Sequence, residues 1–277
     1  FLADWVAQAL VIPGTIELMI DSLDQHLHKT GLLPPNASII LAVSGGVDSV
    51  VLLDLLSQLQ ASYGWDIAVA HLDHKVRPSS EDDAALVARL ANKYGYKYYL
   101  GQLDGGEARE AALRRARYDF LESIRQGHPA DWIVTAHHRD DRIETSVFNT
   151  IRGADRYGMT ALKPVRGNIV RPLLPFAKGN LIAHAHAHDL EFIEDSTNTD
   201  TTYSRNLVRH ELLPHATTYD PSFQTDYLGR LDNLDRLNDD IERGLDEVLR
   251  LLSIPNPASN KAGELAVDRR GFLKLSP

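Results

Sequence analysis

A strand-forming run followed by a helix-forming run, repeated four times before residue 152, predicts an α/β protein built on a parallel sheet with helices on both faces. Two further features sharpen this. Polar, chemistry-bearing clusters follow the strand ends directly, and from Pro221 the alternation gives way to one long helical pattern, a C-terminal helical segment.

Residues 17–29 carry Leu18, Ile20, Leu23 and Leu27 at helical spacing, closed by Gly31 and the Pro34-Pro35 pair. Ser38-Ile-Ile-Leu-Ala-Val43 is a short apolar run typical of a buried strand. The spacing then predicts helix over 48–60, strand over 66–71, helix over 80–94, strand over 96–100, helix over 107–126, strand over 132–136 and helix over 140–151. After Pro164 the pattern weakens. Arg171-Pro-Leu-Leu-Pro175 reads as a rigid extended stretch, 176–189 as a helix, 194–203 as a polar loop, and 221–252 as a long helix before Pro255 and Pro257. The expected division is an N-terminal helix with a tag-derived or native start over 1–36, a catalytic domain over 37–216, and a helical linker opening a truncated C-terminal domain over 217–277.

Composition narrows the function classes. The chain has no cysteine, which removes disulfides, thiolate metal sites and thiol catalysis and makes a reducing cytoplasm the expected compartment. No apolar run approaches the roughly 18 residues of a membrane span, so no membrane partner is expected. The opening Phe-Leu-Ala-Asp-Trp lacks the basic start and apolar centre of a signal peptide. Net charge is −9, against a uniformly basic nucleic-acid surface. Nine acidic and three basic side chains within 220–247 account for −6 of it, so the other residues carry −3 and can hold a local basic patch.

In open parallel sheets, ligands bind outside the carboxyl ends of the strands. Ser44-Gly-Gly-Val-Asp-Ser49 stands at such an end and suits a phosphate cradle, because glycines let backbone N–H groups approach oxygens and the following helix adds a partial positive charge. No Gly-Lys-Ser/Thr follows, so it is not a Walker A loop, and Asp48 suits a place beside a metal more than beside bare phosphate. A tight turn with an N-cap serine is the plainer reading. His137-His-Arg-Asp-Asp-Arg-Ile-Glu-Thr145 puts Asp141 and Glu144 on one face of a helix start beside Asp140, suited to Mg²⁺ or a substrate ammonium or simply to the helix dipole. Arg114, Arg117 and Tyr118 share a helix face fit for phosphate or a polynucleotide backbone, or for solvent. His184-Ala-His-Ala-His188 has the i, i+4 histidines of a metal site, but no carboxylate motif accompanies it and a surface helix is the expectation.

These segments together resemble the tRNA(Ile)-lysidine synthases, a family of the N-type ATP pyrophosphatase (PP-loop) superfamily, over about 37–216. The resemblance rests on Ser44–Ser49, His71-Leu-Asp-His-Lys-Val-Arg77, Leu113-Arg-Arg-Ala-Arg-Tyr118, 136–145, Arg152-Gly153, Arg171-Pro-Leu-Leu174, Glu194-Asp-Ser-Thr-Asn198 and Tyr203-Ser-Arg-Asn-Leu-Val-Arg209. The first motif is shared across the superfamily, whereas the combination is specific to lysidine synthases. Where that family usually continues with a glycine-rich stretch, this chain reads Ala154-Asp-Arg-Tyr-Gly158. The resemblance implies an adenine nucleotide alpha hydrolase-like fold and ATP-dependent ligation of L-lysine to C2 of the wobble cytidine in a CAU-anticodon tRNA(Ile), through an adenylated cytidine. It implies ATP contacts at Ser44, Gly45, Gly46, Val47, Asp48, Ser49 and His71, and catalytic roles for Asp48, Asp141, Glu144 and Arg117. It further implies Mg²⁺ at Asp48 and Asp141, and tRNA or phosphate contacts at Arg114, Arg205 and Arg209. A homodimer is compatible with this. Thiolases of the superfamily need cysteines. Small-molecule amidating ligases would lack the Leu-Arg-Arg-Ala-Arg-Tyr and Tyr-Ser-Arg-Asn segments, and a non-catalytic nucleotide- or RNA-binding module would not need Asp48, Asp141 and Glu144.

Overall fold

The computed structural model describes residues 15–73, 80–103, 110–193, 204–254 and 266–267. Strands β1 (Ser38–Ala42), β2 (Asp66–Asp73), β3 (Lys97–Gln102), β4 (Trp132–Val134), β5 (Val165–Arg166) and β6 (Ile169–Val170) form one sheet in the order β3-β2-β1-β4-β6-β5. All neighbouring pairs are parallel except β5 with β6. Between the strands run α1 (Thr15–Thr30, ahead of β1), α2 (Val47–Tyr63), α3 (Ser80–Lys93), α4 (Glu110–Gly127) and α5 (Arg139–Ile151). Each lies where the sequence periodicity places it.

Side-chain alternation along β1 sets the two layers. Ile39 and Leu41 join the core made with α1, α2 and α3, whereas Ile40 joins Ala68, Ala70 and Ile133 under Leu121 of α4. Helix α2 buries residues all round, including Val50, Leu53 and Leu56, which marks a helix enclosed on every side rather than one with a wet face. From β1 the chain steps outward to β2 and β3, then returns past β1 to β4. That reversal leaves a crevice between the carboxyl ends of β1 and β4.

The later chain departs further from the sequence reading. A two-strand hairpin, β5–β6, turning at Gly167 with φ +58°, was not expected. The segment 171–175 is not extended. It turns, with Leu174 N–H reaching Arg171 O at 3.4 Å and Phe176 N–H reaching Leu173 O at 2.9 Å. Proline fixes only its own φ, and that value serves the second position of a turn as well as an extended chain, so Pro172 left both open. There follow α6 (Arg156–Met159, ahead of β5), α7 (Lys178–Ala187), α8 (Ser204–Leu207), a π-helical turn (Val208–Leu212), α9 (Leu213–Tyr219), α10 (Phe223–Leu252) and a short pair, β7 (Ser253–Ile254) with β8 (Ala266–Val267). The loop expected over 194–203 lies outside the described residues.

The acidic helix α10 packs back on the α/β body. Arg142 of α5 donates to Asp232 at 2.7 Å and Asp235 at 2.8 Å, Lys163 pairs with Asp239, and the buried Asn238 donates to Thr160 Oγ1. Part of the local negative charge is thus matched by cations of the body. Among the described residues no helix is long and apolar enough to cross a membrane.

At the other end of the core, Tyr63 joins α2 to α1. Its hydroxyl donates to Asp24 Oδ1 at 2.8 Å and its ring stacks on Trp65 at 4.4 Å, while Trp65 Nε1 donates to Pro34 O. Burial, then the bond to Asp24 and its charge, push the phenol up to about 12. A raised folded pKa means stability that is complete below the unfolded value of about 10 and is lost as pH rises through the folded one. Urea unfolding followed by tryptophan fluorescence should show Tyr63→Phe less stable by about 1 kcal/mol at neutral pH. The gap between the two proteins should close between about pH 10 and 12. A gap independent of pH across that range would contradict the assignment.

Candidate phosphate and carboxylate site at the strand crossover

Residues 44–49 turn from β1 into α2. Gly45 takes φ +90°, a conformation that side-chain-bearing residues rarely adopt, and a Cβ there would also push aside the tip of Ile193, 2.6 Å away. Gly45 O accepts from Ile193 N–H at 2.9 Å, which ties the turn to the chain following α7. The buried Ser49 hydroxyl closes the turn, donating to Gly46 O at 2.8 Å and accepting from Ser44 N–H at 3.1 Å. Gly46 caps α2 and brings no side chain to its first-turn N–H groups. An uncapped helix start at a glycine turn is a site for an anion. The serines brace the turn rather than cap the helix, so of the plainer reading the tight turn holds and the N-cap serine does not.

Two more helices start at the same rim. Helix α5 begins after His138, whose backbone N–H donates to Asp141 Oδ2 at 3.0 Å. Helix α7 begins after Ala177, which has no capping side chain, and Asp140 fills that role from α5 by accepting from Lys178 N–H at 2.9 Å. Three positive helix ends therefore face one another.

Around them lie four carboxylates. Lys178 Nζ holds both oxygens of Asp48, at 2.6 and 2.7 Å. Arg209, on the π-helical turn, forks onto Glu144 at 2.7 and 2.8 Å and stands 3.6 Å from Asp141. The Glu144 side chain is only 4% exposed, so the fork lies in a dry setting, where removing one partner of such a pair is costly. The buried His138 sits between Asp48 (3.7 Å), Asp140 (3.6 Å) and Asp141 (3.5 Å). Burial opposes its protonation, but Asp140 beside it and the charges of Asp141 and Asp48 outweigh burial and raise its pKa. Burial likewise raises Asp140, yet His138 and the Lys178 amide overcome this and hold it at about 2. Asp48, Asp140, Asp141 and Glu144 outnumber Lys178 and Arg209, so the cluster stays net acidic even when His138 carries a proton. Asp48 and Asp141 are hard oxygen donors that both approach one atom, His138 Nε2, and so lie on the same side of the rim. Beside them opens a cleft of about 420 Å³ lined by Asp140, Glu144, Arg209, Pro214, Thr217 and Gln224, among others.

His71, at the end of β2, is buried with Nδ1 2.8 Å from Val43 O. Burial lowers its pKa; the Val43 carbonyl and the charges of Asp73 and Asp83 oppose this without cancelling it, and Arg117 adds a smaller lowering. Arg114 lies exposed over the Tyr118 ring at 5.3 Å. Arg205 belongs to α8, but its side chain lies outside the described residues, as do His74 to Arg77, Glu194 to Asn198 and Tyr203.

Three residues were missed as site members. Lys178 gives no local signal, and His138 stands in the 136–145 motif without a role of its own; only the fold brings either of them to Asp48. Arg171 stands in a quoted motif but was assigned no role. It is buried, donates to Lys163 O at 2.7 Å and lies beside Tyr118, Arg114 and Arg166, extending the basic face of α4. The reading of 184–188 as a surface helix is corrected: His184 is buried and its Nε2 lies 2.8 Å from Asp54 Oδ2. The carboxylate comes from α2, far away in sequence, which is why no local motif announced it.

Replacing Arg209 by Met should destabilise the protein by about 3 kcal/mol, because the buried Glu144 carboxylate loses its guanidinium partner. In the double variant Arg209→Met/Glu144→Gln, thermal unfolding should recover much of that loss. Equal instability of the single and double variants would contradict the pairing.

Three comparisons bear on this geometry. Residues 18–216 match the family model described as PP-loop domain. The chain is 42% identical over 190 residues to the tRNA(Ile)-lysidine synthase of Gloeobacter violaceus, covering 67% of this chain and 58% of that protein. It is 33% identical over 223 residues to the tRNA(Ile)-lysidine synthase of Thermosipho africanus, covering 78% and 52%. The chain thus spans a little over half the length of these curated relatives. Among solved structures, the U34-tRNA thiolase NcsA from Methanococcus maripaludis, with its 4Fe-4S cluster, superposes with a TM-score of 0.66 at 16% identity, over 80% of this chain and 79% of that one, a likeness of fold. With the family model covering its whole sheet and the crevice at its switch point, the chain belongs to the PP-loop domain family.

Proposed function

We propose that this chain ligates L-lysine to C2 of the wobble cytidine in a CAU-anticodon tRNA(Ile), using ATP. One observation carries the reading: an uncapped, glycine-built helix start with Asp48 stands on the same rim as the Asp141–Glu144–Arg209 set, which borders an open cleft. Such a site holds a polyphosphate on one side and a second, cationic reactant on the other. The names of the relatives supply the substrates.

The chemistry divides in two. The cytidine C2 oxygen attacks the α-phosphorus of ATP, the bond to pyrophosphate breaks, and the oxygen becomes a leaving group instead of an amide-like oxygen. The lysine ε-amine then attacks C2, and the carbon–oxygen bond breaks to release AMP. N–H groups at residues 44–49 and the α2 dipole would receive the departing pyrophosphate. Asp48 and Asp141 would hold Mg²⁺, which when bound offsets polyphosphate charge. Glu144 or Asp141 would orient the lysine ammonium and accept the proton that frees its amine. Arg209 acts here by fixing the Glu144 carboxylate in place. His71 would border the nucleotide, and Arg114, Arg117 and Arg205 would supply phosphate or tRNA contacts.

A thiolase reading fails on chemistry, because a chain without cysteine offers no thiolate for a cluster. Base insertion from an anticodon loop has modest cost, since loop bases are already unstacked or easily splayed. Radiolabelled lysine, ATP and Mg²⁺ with an unmodified tRNA(Ile) transcript test the proposal. The wild-type chain should label a CAU transcript and leave a UAU transcript unlabelled, and Asp48→Ala should lower the rate at least about 100-fold, the scale of removing one key electrostatic group. Equal labelling of both transcripts, or an unaffected Asp48→Ala, would overturn it.

A further inference from the structure

Helices α2 and α7 run parallel and in register. Lys178 meets Asp48, and six residues later on each helix, His184 meets Asp54. The second contact holds more than an ion pair. Asp54, 6% exposed, accepts from Tyr94 Oη at 2.9 Å and Gln58 Nε2 at 2.7 Å as well as facing His184 Nε2 at 2.8 Å. His188, one helical turn beyond His184, stacks on it with ring centroids 4.1 Å apart. The ligand atoms offered by Asp54, His184 and His188 all lie within 4.8 Å of one another. His188 Nε2 and His184 Nδ1 are buried with no hydrogen-bond partner.

Buried polar atoms are nearly always paired, and exceptions call for an explanation. A structural Asp–His pair accounts for His184 Nε2. It does not account for a second imidazole turned inward with its Nε2 unsatisfied. Two histidines at i, i+4 on one helix face form a chelating pair, and a carboxylate from a neighbouring helix completes three ligands.

We propose that Asp54, His184 and His188 form a binding site for a divalent transition metal of the zinc class, clamping α7 to α2. Two imidazoles and one carboxylate favour zinc-like ions over magnesium or calcium, which take all-oxygen sets. Zinc ligands at about 2.1 Å from the ion stand about 3.4 Å apart in a tetrahedron, so the three atoms need only small side-chain adjustments. His184 gives up its hydrogen bond to Asp54 and binds through nitrogen, Asp54 binds through oxygen, and Gln58 and Tyr94 continue to orient the carboxylate, as outer-shell partners do at metal sites. A water molecule would take the fourth position. The clamp lies away from the phosphate turn and is structural: it fixes the register that delivers Lys178 to Asp48.

Metal-stripped protein titrated with Co²⁺ provides the test, with competition by Zn²⁺ and a count of zinc retained after desalting. The wild-type chain should develop visible d–d absorption of a low-coordinate cobalt site, lose it when zinc is added, retain one zinc per chain and melt at higher temperature with zinc than with EDTA. His188→Ala removes a half-buried ring at a helix end and spares the Asp54–His184 pair. It should abolish the cobalt bands, the retained zinc and the zinc-dependent rise in melting temperature, and Asp54→Asn should do the same. Should Asp54→Asn fail to fold, His188→Ala decides. No metal retained by the wild type, or metal retained equally by the variants, would overturn the site.

Discussion

Lys178 reaches across from α7 to hold both oxygens of Asp48 on α2, and the functional rim depends on that contact. It exists because the two helices lie parallel, so both start at the same edge of the sheet. Parallel packing of α7 on α2 directs two helix N-termini at one point, and α5 adds a third. In isolation such a convergence of positive ends repels. Here Asp140 accepts the α7 amide and Asp141 the amide preceding α5, which turns the repulsion into a scaffold for acidic side chains.

The same arrangement explains how four carboxylates share so small a volume. Each has a named counterpart: a lysine for Asp48, a guanidinium fork for Glu144, backbone amides and His138 for Asp140 and Asp141. Partly exposed pairs such as Lys178–Asp48 gain little net stability, and the buried Glu144 end gains little over apolar residues. What they provide is charge held in fixed positions around an open cleft. A site that must receive a polyanion, its counter-ion and a substrate cation needs that more than it needs stability.

Much of the fold was legible because its signals are local. The run from Ser38 to Val43, the apolar face of 17–29 and the alternation up to residue 151 each announce themselves within a few residues. Gly45 was legible too, as a turn glycine, although only the structure shows its positive φ and the tip of Ile193 packed over it. Illegible were the contacts that join distant segments. Lys178 is one lysine in an undistinguished stretch until α7 is laid on α2. His184 looked like a surface residue until Asp54 appeared beside it. Pro172 was compatible with two backbone paths, and the turn prevailed because Phe176 O receives Arg139 N–H at the start of α5. The hairpin at Gly167 was missed because its strands are two residues each, too short for any period to register.

The central claim is that the rim activates an RNA base by transferring the adenylyl group from ATP to it. The most direct measurement mixes the chain with ATP labelled at the α-phosphate, Mg²⁺ and tRNA transcripts in the absence of lysine, and follows label in the RNA together with release of pyrophosphate. The account predicts label on a transcript with cytidine at the wobble position, pyrophosphate released in equal amount, and discharge of the label as AMP when lysine is added. Label appearing instead on a wobble-uridine transcript, or pyrophosphate released with no label in RNA, would contradict it.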